Sequence, residues 1–119
     1  MTQKLGCTVT GLNGLVEPTA QLEIVATGSM WSEGPRWIPK RGCLRWSDIP
    51  NNRILEYHRA SGKVTTYATD VEFTNGRALD RDGSIVQCSH GRRRIERDRD
   101  GIITPVVEQW HGVKLNSPK

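Results

Sequence analysis

The sequence predicts an all-β protein, and three observations support this prediction. Short apolar or alternating runs are separated by turn residues, among them Asp82-Gly83 and Asp100-Gly101. The 119-residue chain carries 12 glycines and 6 prolines, so many of its positions suit tight turns. No stretch of about ten residues carries the apolar stripe of a helix, and we therefore expect almost no helical structure.

The predicted strands begin after an irregular lead-in. Residues 1–20 show no period and are broken by glycines and by Pro18, which predicts an irregular N-terminal arm. Ser61-Gly62 supplies a tight turn before the last strand of the first half. The strands of this half are predicted over residues 21–26, 35–38, 43–47, 53–58 and 64–67.

The second half of the chain repeats this order of strands. Leu44 aligns with Ile85 and Arg53 with Arg94, each pair at an offset of 41 positions. Four short strands in about 40 to 45 residues is the spacing of a propeller blade. A coincidental pair of meanders in one sandwich or barrel is the alternative. The predicted strands of this half are residues 77–79, 84–88, 94–97 and 102–107.

We therefore predict two four-stranded blades and the start of a third, all within residues 21–119. Blade one spans about 33–70, blade two spans about 75–110, and residues 114–117 enter the third. A closed propeller has about four to eight blades, because a blade buries its faces only against neighbours. The chain is accordingly expected to be the N-terminal part of a longer propeller.

Composition and charge narrow the classes of function. The formal net charge is +4, and its densest point is the run Arg92-Arg93-Arg94. Glu96 and Asp98 interrupt the basic residues that follow, and no aromatic residues accompany them. A nucleic-acid-binding stripe normally lacks such acids and carries stacking aromatics, so we expect no nucleic-acid partner.

Cysteine use and hydropathy predict a cytoplasmic protein. The three cysteines, Cys7, Cys43 and Cys88, form neither an even disulfide set nor a C-x-x-C metal motif. A reducing compartment fits this pattern. No N-terminal run resembles a signal peptide and no apolar run is long enough to cross a bilayer, so no membrane partner is expected.

Five ordered segments carry a family resemblance that covers about residues 22–118. The segment W-S-E-G-P-R-W at residues 31–37 resembles the opening E-G-P-x-W motif of the senescence-marker-protein, gluconolactonase and luciferin-regenerating-enzyme-like family. The resemblance is to the bacterial gluconolactonase type and implies a six-bladed propeller that hydrolyses a sugar lactone such as gluconolactone. It also implies a bound divalent metal, usually calcium. The other matching segments are residues 47–54, 75–80, 88–93 and 114–118.

The resemblance implies that Glu33 is a metal ligand, because it matches the metal-binding glutamate of the family. The alternative is a solvent-exposed turn residue. The other expected ligands, an asparagine and an aspartate, fall in later blades beyond Lys119. Lys119 itself stands where the family motif has asparagine. Calcium takes six or more oxygens, so we expect this chain alone to bind metal weakly or not at all and to lack activity.

Three further residues are candidates for contact with the lactone: Asn75, His90 and Asn116. His90 could equally be a turn residue bonded to backbone, and Asn75-Gly76 could be a plain turn. Asp48 is expected to cap its own turn through backbone N–H groups. No catalytic residue is assigned, and the serines lack the G-x-S-x-G pattern of hydrolase nucleophiles.

A non-enzymatic function is the alternative to the hydrolase. Blades without neighbours leave strand edges open, and open edges pair readily with other strands. The chain could then be a β-sheet binding or self-assembly module that associates with further copies of itself.

Overall fold

A computed structural model describes residues 2–4 and 14–119, and β-strands build it. Within these ranges the one helical element is a 3-10 turn at Pro39–Arg41, which ends at Gly42 in a left-handed conformation. The prediction of an all-β chain is confirmed. The strands are β1 (Thr2–Lys4), β2 (Gln21–Glu23), β3 (Ser32–Ile38), β4 (Cys43–Asp48), β5 (Arg53–His58), β6 (Lys63–Thr69), β7 (Thr74–Leu79), β8 (Ile85–Ser89), β9 (Arg94–Arg99), β10 (Ile102–Val107), β11 (Gln109–Trp110) and β12 (Val113–Lys114).

The strands form two consecutive propeller blades, as the repeat predicted. Strands β3 to β6 make an antiparallel sheet in chain order, which is blade one. Strands β7 to β10 make an equivalent sheet, which is blade two. The innermost strands β3 and β7 lie side by side. Strands β11 and β12 form a short hairpin after blade two.

Within the described part of the N-terminal arm, residues 2–4 form a strand that the sequence did not predict. Thr2 pairs with Glu23, so that β1 and β2 form a two-stranded sheet. The remainder of the arm up to residue 13, with Cys7, lies outside the described residues. Cys43 and Cys88 are free thiols, and burial raises the pKa of both.

The strand registers reproduce the predicted repeat. Leu44 pairs with Tyr57 in blade one, and Ile85 pairs with Asp98 in blade two. Each residue of the second pair therefore follows its equivalent in the first pair by the predicted 41 positions. For the innermost strands the offset between the two blades is 42 positions. Trp37 pairs with Leu44 in blade one, and the equivalent pair in blade two is Leu79 with Ile85.

The two blades pack face to face, and each contributes a different one of its faces. Ile38 and Cys43 of blade one pack against Ile85 and the partly buried Leu79 of blade two. The repeat equivalent of Ile85 is Leu44, which points away from blade two because strand residues alternate between faces. Equivalent residues of the two blades thus differ in burial, since only one face of each blade is covered by the other.

A buried ionic network joins the two blades. Arg45, Glu56 and Asp98 are each at most 3% exposed. Arg45 donates to Glu56 at 2.6 Å and lies 3.4 Å from Asp98 of blade two. Arg41 adds a second guanidinium to Glu56 at 2.8 Å. Burial alone would raise the pKa of Glu56, but the bonds from Arg41 and Arg45 hold it below its usual value.

Tyr67 completes this network, which we call the inter-blade network. Its hydroxyl donates to Asp98 at 2.9 Å, and the Arg45 guanidinium lies 3.6 Å from its ring centroid. Burial, with the nearby Asp98 carboxylate, raises the pKa of Tyr67 to about 12. The phenol therefore stays protonated in the folded chain at a pH where it ionises in the unfolded chain.

The raised pKa of Tyr67 predicts a loss of stability in alkali. The pKa of Tyr67 is about 10 in the unfolded chain and about 12 in the folded chain. Its contribution to stability is therefore complete below pH 10, and it is lost as the pH rises towards 12. The free energy of unfolding, measured by urea denaturation, should therefore fall over this range relative to that of Tyr67→Phe. A difference between the two proteins that does not change with pH would contradict the prediction.

Among the described residues, no helix has the length and apolar character that a membrane crossing requires.

Candidate functional site

The first residues of the two innermost strands meet at one end of the blades. Gly34 lies in the left-handed region at φ +57, and a Cβ placed on it would come 2.7 Å from the Asn75 carbonyl oxygen. The same Cβ would come 2.9 Å from the Gly76 Cα. Only glycine permits this approach of the two backbones. We call Ser32–Gly34 and Thr74–Gly76 the strand heads.

Two residues that were predicted for the site occupy equivalent positions in the strand heads. Glu33 and Asn75 are 42 positions apart, which is the shift of the innermost strand. Glu33 is half-buried, and the Trp31 indole donates to its carboxylate at 3.2 Å. The Asn75 side chain is 8% exposed and makes no hydrogen bond to any described residue. A carboxylate and an amide with no hydrogen-bond partner among the described residues therefore lie on adjoining strands.

Ser47 and Arg77 tie the two strand heads together. Arg77 donates through Nη1 to the Gly34 carbonyl at 2.6 Å and through Nη2 to the Ser47 hydroxyl at 2.5 Å. Ser47 in turn donates to the Asn75 carbonyl at 3.0 Å. Burial, with Arg45 nearby, lowers the pKa of Arg77 to about 10. Sequence reasoning missed both residues, because an isolated serine or arginine in a strand carries no distinctive pattern.

His90 and Asn116 lie at the same end of the blades but on exposed segments. His90 is exposed in the turn after β8, next to Ser89, which pairs with Thr74 in the strand head of blade two. Asn116 is exposed and accepts a bond from the Ser117 amide at 3.2 Å. The structure thus places both residues near the strand heads without a described contact to Glu33 or Asn75.

Residues after β12 also approach this end. Arg93 donates to the Leu115 carbonyl at 2.7 Å, which fixes the segment to the turn after β8. A Cβ on Gly76 would come 3.3 Å from the Lys119 carbonyl carbon. Lys119 therefore lies next to Gly76 of β7 in the same way that Gly76 lies next to Gly34 of β3. This is the position in which the innermost strand of a following blade is expected.

Asp48 has a different role from the predicted one. The prediction was a cap for its own turn, but its carboxylate accepts bonds from the Met30 amide at 3.0 Å and the Asn51 side chain at 2.8 Å. Arg53 donates to it at 3.0 Å. Although burial alone would raise the pKa of Asp48, these bonds hold it below its usual value. Asp48 thus anchors the segment before β3, because the Met30 and Trp31 amides of that segment donate to its carboxylate.

The strand heads alone do not fit a complete calcium site. In residues 2–4 and 14–119 there is no group of three or more histidines, cysteines, aspartates or glutamates arranged to hold a metal ion. Glu33 offers a carboxylate and Asn75 an amide oxygen, whereas calcium takes six to eight oxygens. These two residues could supply only part of such a ligand set.

Known proteins resemble this chain in sequence and in structure. A gluconolactonase from Zymomonas mobilis subsp. mobilis is 27% identical over 122 residues, which cover 90% of this chain and 34% of that protein. The solved structure of a gluconolactonase from Xanthomonas campestris is 39% identical, with a TM-score of 0.74 over 79% of this chain and 31% of that chain. Regucalcin from Agrobacterium tumefaciens, a calcium-binding protein, is 25% identical, with a TM-score of 0.56 over 66% of this chain and 26% of its own.

The chain spans about a third of the length of the gluconolactonases that it matches. Residues 31–118 match the family described as the SMP-30/Gluconolactonase/LRE-like region. That segment contains both blades and both strand heads. The chain belongs to the SMP-30/gluconolactonase/LRE-like family.

Proposed function

We propose that this chain supplies part of the site of a sugar-lactone hydrolase of the gluconolactonase type. In this proposal Glu33 is one ligand of a divalent cation, calcium, and Asn75, His90 and Asn116 contact a lactone such as gluconolactone. The observation that carries the proposal is the contact between the strand heads, the segments that hold the Glu33 carboxylate and the buried Asn75 amide on adjoining strands. Gluconolactonase relatives support the substrate class.

The residues of this chain would bind and orient rather than transfer protons. Glu33 would offer its carboxylate in an orientation set by the Trp31 indole. Asn75 can both donate and accept, so that its amide would position the polar groups of a lactone. A bound divalent cation supplies Lewis-acid polarisation of a carbonyl and lowers the pKa of a bound water.

We expect no significant lactone hydrolysis from the 119-residue chain alone. Its strand heads provide one carboxylate and one amide, and a hard cation needs more oxygen ligands than these. The remaining ligands would come from further blades of a complete propeller. Calcium binding by this chain should accordingly be weak.

A chimera tests the proposed function. Residues 22–118 would replace the matching third of the Xanthomonas campestris gluconolactonase, and gluconolactone hydrolysis would be measured with calcium. We expect the chimera to be active and Glu33→Gln to reduce kcat/KM at least about 100-fold, the upper end of what loss of a mere supporting partner causes. Neutralising one carboxylate ligand removes charge that holds the cation.

Glu23→Gln is the matched control for this experiment, because Glu23 is an exposed glutamate on β2 and belongs to neither strand head. It should leave kcat/KM unchanged. A folded chimera that is inactive would contradict the proposal. So would a Glu33→Gln variant that is as active as the unmodified chimera.

A further inference from the structure

A cavity of about 430 Å³ lies between the two blades, and we call it the inter-blade cavity. Its walls come from β5, β6 and the residues after β6 in blade one, and from β8 to β10 in blade two. None of the strand-head residues lines it. The inter-blade cavity is therefore separate from the candidate site, and the two described blades enclose it by themselves.

A small residue in the outermost strand of blade one leaves room for this cavity. Ala68 of β6 pairs with Ile54, and both residues line the cavity. The equivalent pair in blade two is Val107 with Ile95, so blade two has a larger side chain at the position of Ala68. Ile103 of β10 lines the cavity from the other blade. The methyl group of Ala68 is too short to fill the space between these strands.

Gln87 brings an unmet hydrogen-bond acceptor to the wall of the cavity. The residue is 2% exposed, and its Nε2 donates to the Glu96 carboxylate at 3.1 Å. Its Oε1 is buried and has no partner among the described residues. Turning the amide over would not help, because Oε1 would then face a carboxylate and Nε2 would lose its acceptor. A buried acceptor without a donor costs free energy, so a ligand that donates to Oε1 is favoured.

The two buried carboxylates of the cavity already have cationic partners. Glu96 accepts a bond from Arg94 at 2.9 Å, and Asp98 lies 3.4 Å from Arg45 of the inter-blade network. An added cation is therefore not needed to balance their charge. The unmet group is a neutral amide oxygen, and a neutral hydroxyl group is a donor that suits it.

The remaining walls suit a small hydroxylated molecule. Ile54, Val71 and Ile103 supply apolar surface for its C–H groups. Arg92 also lines the cavity, and its Nη1 lies 3.7 Å from Glu96, which is too long for a hydrogen bond and leaves N–H groups for a ligand oxygen. The volume of about 430 Å³ falls within the range of about 300–1,000 Å³ for small-molecule pockets, whereas one water needs only about 30 Å³.

We propose that the inter-blade cavity binds a small neutral polyol of the size of a monosaccharide, with one hydroxyl donating to Gln87 Oε1. The apolar wall residues contact the C–H groups of the ligand, and Arg92 donates to one of its other oxygens. This site requires neither a metal nor a lactone carbonyl. Its test is therefore independent of the function proposed for the strand heads.

Titration of the 119-residue chain with D-glucose, followed by nuclear magnetic resonance, tests the site. We expect the methyl signals of Ile54 and Ile103 and the side-chain amide signals of Gln87 to shift and to saturate at millimolar glucose. The methyl signals of the exposed Ile24 should not move. Cavity signals that do not shift would mean that the cavity holds water alone, which would overturn the proposal. Saturation by n-butylammonium at a lower concentration than by glucose would overturn the choice of a neutral ligand.

Two variants make the test specific to the cavity. Gln87→Leu removes the acceptor and should raise the Kd for glucose about 10-fold, the loss of one hydrogen bond. Gln109→Leu is the matched control, because Gln109 is exposed on β11, and it should leave the Kd unchanged. Ala68→Leu fills the cavity while keeping Gln87, and it should also weaken binding. Circular dichroism would check that the variants keep their strands. Unchanged binding by either folded cavity variant would contradict the proposed site.

Discussion

Replacing Glu56 with alanine should lower the free energy of unfolding by about 3–5 kcal/mol, the usual effect of breaking a buried ion pair. Glu56 is buried and accepts bonds from Arg45 at 2.6 Å and Arg41 at 2.8 Å. Its removal leaves Arg45, which is also buried, with the longer contact to Asp98 and the face of the Tyr67 ring but without its close carboxylate partner. Urea denaturation of the 119-residue chain would measure the loss.

The control for this prediction is an ion pair at the surface. Lys40 and Asp100 are 3.0 Å apart and link the two blades, but their side chains are 53% and 67% exposed. Lys40→Ala should therefore lower the free energy of unfolding by less than about 1 kcal/mol. Equal losses from the two variants would show that the inter-blade network is not buried as described.

Alanine at Gly34 should be the most damaging substitution in the strand heads. The added Cβ would fall 2.7 Å from the Asn75 carbonyl oxygen, so β3 and β7 must separate to accommodate it. We expect a loss of about 1–3 kcal/mol from overpacking, in addition to the penalty for alanine at a positive φ. The free energy of unfolding in urea would report this loss.

Gly42→Ala isolates the packing contribution. Gly42 has φ +58, almost the same as the φ of +57 at Gly34, but a Cβ at Gly42 would have nothing within 4 Å. The two variants share the penalty for a left-handed alanine, so the difference between them measures the contact between strand heads. Equal losses would contradict that contact.

The repeat made the blades predictable from the sequence. The predicted strand 53–58 coincides with β5 and the predicted strand 102–107 with β10, because turn residues flank both. The strand heads were harder to delimit. The register of β3 is interrupted by a bulge between Glu33 and Arg36, and that of β7 by a bulge between Thr74 and Arg77. The first residues of these strands therefore do not follow a simple alternation of apolar and polar residues.

The inter-blade network could not be predicted from the sequence. Arg45 alternates with apolar residues in β4 and has the pattern of a solvent-facing position, since a lone strand does not show which of its faces a neighbouring blade covers. Glu56 has the same pattern in β5. Both residues are buried because the two sheets pack together. The sequence repeat indicates that the sheets pack, but it does not specify which face of each sheet is covered.

The residues of the candidate site were proposed from the sequence, whereas the residues that join the strand heads were not. Glu33 was proposed from the family resemblance, and it occupies the position in β3 that Asn75 occupies in β7, at an offset of 42. Ser47 and Arg77 join the strand heads through bonds that bridge the two blades. Such bonds have no counterpart in local sequence, because the bonded residues lie 28 to 43 positions apart.

Nuclear Overhauser effects test the contact between the strand heads most directly. A Cβ on Gly34 would come 2.9 Å from the Gly76 Cα, so the Hα protons of these two glycines must be close. We predict a strong cross-peak between them in the folded chain, together with one from Gly34 to Asn75. The absence of both, in a sample that shows the β3–β4 and β7–β8 cross-strand peaks, would show that the two strand heads are not in contact.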